Sequence, residues 1–432
     1  MANRRAFGRF EATLGVVGVL ALGLTYSIAT GWNPLPAVQS WLDRSQTLAE
    51  PSPAWTVRTG DQPSWAVVAR SVAVVGAGGT VGGYALSGGS ELWTRAATWS
   101  AVAGSGAGAV VVIGQPTQGY QALDPATAAV RWSDPKAIGA WTFTDLIIGI
   151  SCPQGVVCVL TARMPQNGTV RWEVALPGDA RPLGGANRPL VGVRPLGAVD
   201  RAPEPVPALL GFPVGDEVQV VDTVAGTRPH TYRATPSAWV SVAGTRVVVS
   251  RGDARRGKCT LSAEGRDPAG DRLVWQRDGY DLHTASAAGC DERANPVGGG
   301  GLLAARSPDG RDVLLDPTTG DEVYRAGAGE KLLDSDGRQV LVRTADRTAV
   351  RAVDVGSGTT RWTRPAARDA GVALGPGVVV FTDLAANRLT AVSAAGTVLA
   401  DVSSAATVLG YAEDGVLVNV GRQVGLVRYA AR

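Results

Sequence analysis

From residue 55 onward the chain alternates short apolar runs with polar breaks rich in Gly, Pro and Asp, and one order of runs keeps returning. The clearest copy is Ser71 to Trp93, SVAVVGAGGTVGGYALSGGSELW: an apolar run, a turn, a second run, a Gly-containing turn and a short run closing on an aromatic. It returns as AVVVIGQPTQGYQALDPATAAVRW to Trp132 and as LIIGISCPQGVVCVLTARMPQNGTVRW to Trp172. Further copies close at Tyr232, Trp275, Tyr324 and Trp362, and a last one closes on Leu399. Successive end points lie mostly 37 to 49 residues apart, with one gap of 60. No stretch after residue 50 keeps a helical apolar period for three turns, and Gly, Pro and β-branched residues dominate. A strand-built repeat of this length predicts an all-β fold of four-stranded propeller blades.

A single small sheet cannot shelter both of its faces, whereas stacked sheets shelter one another. The closing aromatic is then expected to act as a wedge between blades, since a Trp or Tyr buries about 150–250 Å². Several units carry a second Trp in an earlier strand: Trp65, Trp99, Trp141 and Trp239. Four strands per unit fit this spacing. After Leu399 only three strands follow, TVLGYAEDG, VLVNVG and QVGLVRYAAR, and PAWTVRTG around Trp55 can supply the fourth. A blade shared by both ends would close a ring and remove its edges. A literal count is eight units plus this composite. Eight is the usual upper range, so about eight blades are expected over 55–432, with one unit misdivided in 173–232 or 276–324.

The net charge of +3 is close to neutral for 432 residues and gives no reason to expect nucleic acid as a partner. Only three Lys occur, Lys136, Lys258 and Lys331. Four Cys are present. Cys152 and Cys158 flank a PQGVV turn, which suits a disulfide across a hairpin. Cys259 and Cys290 sit in consecutive units, where a bond would staple neighbouring blades. The alternative is four buried thiols. An even count supports disulfides in an exported protein.

The N-terminus carries Arg4, Arg5 and Arg9, and from Ala12 to Leu42 there is no charged residue. The apolar part, ATLGVVGVLALGLTYSIATGW, is long enough to cross a hydrocarbon core of about 30 Å. Arginines before it and none just after predict a cytoplasmic segment 1–11, a transmembrane signal anchor 12–32 and an extracytoplasmic body. Trp32 and Trp41 follow, as candidates for the outer interface. A cleaved signal peptide is the alternative, with Ser27-Ile28-Ala29 as its small-x-small site. Arg4-Arg5 with Phe7 loosely resembles a twin-arginine export signal. Residues 33–54, with Pro34, Pro36, Pro51 and Pro53, read as a linker.

The strand-turn-strand pattern with Y-x-A-L-D-x-x-T and a closing R-W resembles the PQQ-like propeller repeat. The best matches are Tyr120 to Thr127 with Trp132, Leu315 to Gly320, and Ala352 to Asp354 with Trp362. The family includes quinoprotein alcohol dehydrogenases, the non-catalytic propeller lipoprotein of outer-membrane assembly, and exported propellers of Gram-positive bacteria. The last group is nearest in its anchor and composition. The resemblance implies a propeller and says little about activity. The dehydrogenases place adjacent cysteines against the quinone and Glu, Asn and Asp around calcium. Here no two Cys are adjacent, and no matching acidic set is found.

Other candidate chemistry is sparse. His230 and His283 are the only histidines, and neither sits in a Ser/His/Asp order or at a metal spacing. The turn Asp334-Ser335-Asp336-Gly337 lacks the later acidic ligands of a calcium loop. Residues 251–258, RGDARRGK, form a basic turn, with Arg251-Gly252-Asp253 read as an ordinary polar turn and anionic lipid or cell-wall polymer as possible contacts. Asn167-Gly168-Thr169 matches a glycosylation acceptor. The expected role is a non-enzymatic, membrane-anchored scaffold that binds cell-envelope proteins, with no cofactor and no metal. A PQQ-dependent dehydrogenase, or a small-molecule or glycan sensor using the central channel, is the alternative.

Overall fold

Nine sheets follow one another along the chain in a computed structural model, antiparallel but for one added parallel strand. The structure describes residues 53–115, 119–153, 157–177, 192–197, 203–233, 235, 237–255, 258–282, 290, 295–404 and 406–429. The chain divides into two compact units, 1–47 and 48–432, and every described residue lies in the second. The expected segment 1–11, the anchor 12–32 and most of the linker lie outside the described residues. Among the described residues no helix is long and apolar enough to cross a membrane.

The sheets are blades 1 to 9, over residues 63–96, 99–134, 139–177, 209–233, 238–278, 297–325, 331–365, 371–403 and 407–428. Nine blades replace the expected eight. Neither irregular stretch was misdivided: 173–232 contains nearly all of blade 4 and 276–324 contains most of blade 6. Two blades also depart from four strands. Blade 4 has three among the described residues, and blade 6 has five. The expected composite forms. Trp55–Arg58 pairs antiparallel with Gln423–Arg428 and completes blade 9 from the other end of the chain.

Packing closes the ring. Among the described residues nine buried clusters occur, each shared by two consecutive blades, and the one joining blade 9 to blade 1 includes Leu417, Leu426, Ala66 and Val75. Successive residues of a strand serve opposite neighbours. Val110 and Val112 pack toward blade 3, while Val111 and Ile113 pack toward blade 1. Val340 and Val342 pack toward blade 6, and Leu341 toward blade 8. A strand sheltered on both faces reads as an unbroken apolar run rather than an alternation. That is why VVVI and QVLV lack the polar partners of a one-sided sheet.

The closing tryptophans are wedges with a polar handle. Each indole lies against the following blade and donates its Nε1–H to a carbonyl in that blade's last turn. Trp93 donates to Pro125 O at 2.8 Å, Trp132 to Pro165 O at 2.7 Å, Trp172 to Thr223 O at 2.8 Å and Trp275 to Pro317 O at 2.8 Å. Trp55 donates to Leu86 O and so continues the series across the ring closure. The glycine at the end of such a turn lies under the ring. Gly168 has φ +71°, and a Cβ there would stand 2.7 Å from Trp132.

Candidate binding face

Strand direction alternates through each blade, so turns between first and second, and third and fourth, strands share one end of the ring. All other connections share the opposite end. The first end is plain, with turns of at most six residues. In these turns an Asp caps backbone amides. Asp124 accepts from Ala126 N and Thr127 N, and its carboxyl is held below the usual range by the Arg131 hydrogen bond. Of the Y-A-L-D residues, Asp124 builds the turn, while Tyr120, Ala122 and Leu123 are buried strand residues packed between blades. Asp336 behaves alike, accepting from Arg338 N at 2.9 Å and Gln339 N at 2.8 Å.

The opposite end carries the long elements, over blades 3 to 6. Cys152 and Cys158 are bonded across the hairpin between the second and third strands of blade 3. Blade 5 raises an extended hairpin, Arg246–Arg255 with Lys258–Arg266. Cys259 on this hairpin is bonded to Cys290, which lies in the 279–296 connection. The second disulfide therefore clamps a connection to blade 5, rather than joining two blades as expected. Trp239 Nε1 donates to Asn295 Oδ1 at 3.3 Å and ties the same connection to the first strand of blade 5. Below the hairpin Glu264 is buried. Burial opposes its ionisation, but hydrogen bonds from Arg251 and Arg266 outweigh this and keep its carboxyl below the usual range.

The connection 178–208 contributes a strand to the ring's inner side. Arg194–Pro195 pairs in parallel with Val297–Gly299, the first and innermost strand of blade 6. Gly192 makes a parallel bridge to Val242 in the first strand of blade 5. Blade 4 lacks the corresponding first strand among the described residues, and its second, Leu209–Val214, is an edge. Pro213 within that strand is exposed, as befits an edge residue with no N–H to give. No sequence signal revealed this, because a missing strand in a long Pro-rich insertion looks like a loop.

The remaining candidates fall into structural places. Arg251-Gly252-Asp253 lies inside the strand opposite Ser262, Leu261 and Thr260, with Gly252 buried, so it is not a turn. Asn167 is exposed and its Oδ1 accepts from Thr169 N at 3.1 Å. His230 packs edge-on against Tyr232, with ring centroids 4.7 Å apart; His283 lies outside the described residues. Among the described residues no group of three His, Cys, Asp or Glu side chains converges to hold a metal ion. The four Cys are bonded in pairs 6 and 31 residues apart in sequence, so the residues present do not fit the quinone–calcium site of the dehydrogenases.

The family described as "Outer membrane protein assembly factor BamB" matches residues 262–422. Residues 262–422 are PQQ-like propeller repeats. No curated protein matches the chain by sequence. Solved structures similar to this chain include BamB from Moraxella catarrhalis, at 16% identity over 89% of this chain and 98% of that one, TM-score 0.40. The quinohemoprotein alcohol dehydrogenase from Comamonas testosteroni is similar at 14% identity over 88% and 77%, TM-score 0.38. AztD from Citrobacter koseri is similar at 13% identity over 82% and 95%, TM-score 0.36. None of these likenesses carries a role across to this chain.

Proposed function

We propose that this chain is an exported, non-enzymatic propeller, held at the membrane by residues 12–32, that binds a cell-envelope protein through the elaborated face of blades 3 to 6. The observation that carries the reading is the asymmetry of the ring. Long connections, the raised hairpin and both disulfides share one end and adjoining blades, while the other end keeps short turns. Recognition surfaces are built on variable loops over a rigid scaffold. Trp55–Arg58 enters the ring from the plain end, as the Trp55 bond to the turn carbonyl of Leu86 requires. The elaborated end is free of that connection. Two closed disulfides support an oxidising compartment, and the apolar segment after Arg4, Arg5 and Arg9 supports the anchor.

The test is photo-crosslinking in intact cells from single sites in the full chain. Probes replace Thr260 on the raised hairpin and, separately, Ser357 in a turn at the plain end. The expected result is an envelope protein captured from position 260 and not from 357. Capture equally from both ends, or of cytosolic proteins alone, would overturn the reading.

A further inference from the structure

The first strand of every complete blade runs from the elaborated end to the plain end. Arg194–Pro195 pairs parallel to the first strand of blade 6, so it runs the same way. It follows the fourth strand of blade 3 and precedes the second strand of blade 4, which is where a first strand of blade 4 belongs in the chain. The chain beyond it reaches the plain end: Thr144 N donates to Glu204 O at 2.9 Å and Val206 N to Asp145 Oδ1 at 2.8 Å, both at a plain-end turn of blade 3. Direction, order and destination are those of the first strand that blade 4 lacks among the described residues.

The berth beside Leu209–Val214 has its polar groups set out. Val214 and Glu217 close a two-residue hairpin, so Leu209, Gly211 and Pro213 turn their backbone N positions away from the partner strand. Leu209 and Gly211 are buried, and among the described residues neither N–H has an acceptor. The present berth on blade 6 is short, although Arg194 Nε also donates to Asn295 O at 3.2 Å and Leu196 packs against the cluster shared by blades 6 and 7. The berth comprises two residue pairs, and residues 193–195 are largely exposed. Short, exposed ladders open at the low end of the stability range.

We infer that residues 192–197 are the first strand of blade 4 carried on blade 6, and that the chain exchanges this strand between the two berths. No reversal of the chain is needed. The return move gives the Leu209 and Gly211 amides acceptors and bares the inner edge of Val297–Gly299. The exchange therefore switches which inner edge of the ring is unpaired.

Disulfide trapping in the full chain tests the exchange. Arg194→Cys with Val297→Cys reports the blade 6 berth; Val193→Cys, Arg194→Cys or Leu196→Cys, each with Pro213→Cys, reports the blade 4 berth. In glutathione buffer both sets of bonds are expected. The blade 4 bond forms more slowly in proportion to its population, about 10- to 1,000-fold for a minor state of about 0.1–10%. Folded variants in which only the Arg194→Cys/Val297→Cys chain closes its bond, with none of the Pro213→Cys chains closing, would overturn it. Should the double variants not fold, a photo-crosslinking residue at Val193 reads the same exchange. Adducts on both 209–222 and 297–306 support it, and adducts on 297–306 alone refute it.

Discussion

Blades 7, 8, 9, 1 and 2 form one arc, and blades 3 to 6 another, from the same repeat. In the first arc each blade has four strands and short connections. In the second, two blades change their strand number, and these are the two that close on tyrosine rather than tryptophan, Tyr232 and Tyr324. Tyr232 does reach a turn carbonyl, Asp267 O, but at 3.2 Å against 2.7–2.8 Å for most of the tryptophans. A bond of that length also occurs in the regular arc, where Trp362 of blade 7 donates to Ala394 O at 3.2 Å. The elaborated arc adds two disulfides, one across a hairpin of the complete blade 3 and one from blade 5 to the 279–296 connection.

The sharpest way to break this comparison is to remove an anchor of each kind. Trp275→Ala empties a buried site between blades 5 and 6 and deletes the bond to Pro317 O; a loss of about 3–5 kcal/mol is expected in denaturant unfolding. Tyr232→Phe removes only the bond to Asp267 O, for about 1 kcal/mol. Equal losses would show that tryptophan and tyrosine anchor their blades alike.

The disulfides come next. In the chain-entropy account, opening Cys259–Cys290, which closes 31 residues, costs about 3.5 kcal/mol. Opening Cys152–Cys158, which closes 6, costs about 2 kcal/mol. Unfolding of the Cys259→Ala/Cys290→Ala and Cys152→Ala/Cys158→Ala chains measures both, and the reverse order would remove the special role given to the blade 5 clamp.

A smaller change probes the turn under the wedge. Gly168→Ala puts a Cβ 2.7 Å from Trp132 at φ +71°, and a loss of about 2 kcal/mol is expected from the left-handed backbone and the crowded ring. Blade 2 already carries Ala128 at φ +54° in the equivalent turn. Ala128→Gly should therefore leave stability unchanged or raise it, which a melting curve decides.

The slightest effect is a pH dependence in the regular arc. A hydrogen bond from Arg361, helped by Ser357, lowers the Asp354 carboxyl to about 2. The folded value lies below the unfolded one. The stabilisation is therefore complete above the ordinary carboxylate range and fades as pH falls toward 2. Asp354→Asn should melt below the unmodified chain at pH 6, and the two should converge by pH 2. A constant gap across that range would discount the ion pair.

Much of the ring was legible because its causes are local. The apolar runs, the Asp-capped turns and the closing aromatics recur at a regular spacing, and each is written in adjacent residues. The pairing of Trp55–Arg58 with the last strands was legible too, since three strands without a fourth leave an edge to be filled. The blade count was obscured by its own irregularities. Between Trp172 and Tyr232 the repeat is stretched to 60 residues, and only pairing partners show a three-stranded blade there. The candidate face was hardly visible, for a loop's length can be read but not the end of the ring on which it lies.

By itself, then, the sequence determined the unit: strands apolar on both sides, turn residues that fix their ends, and an aromatic to lock each unit to the next. Tertiary structure alone decided that the literal count of eight units plus a composite stands, that the insertions gather at one end, and that Arg194–Pro195 pairs with blade 6 instead of blade 4. Patterning specifies which faces are buried, but the choice among chemically similar inner edges depends on backbone groups that every residue carries, and so leaves no mark in the order of side chains.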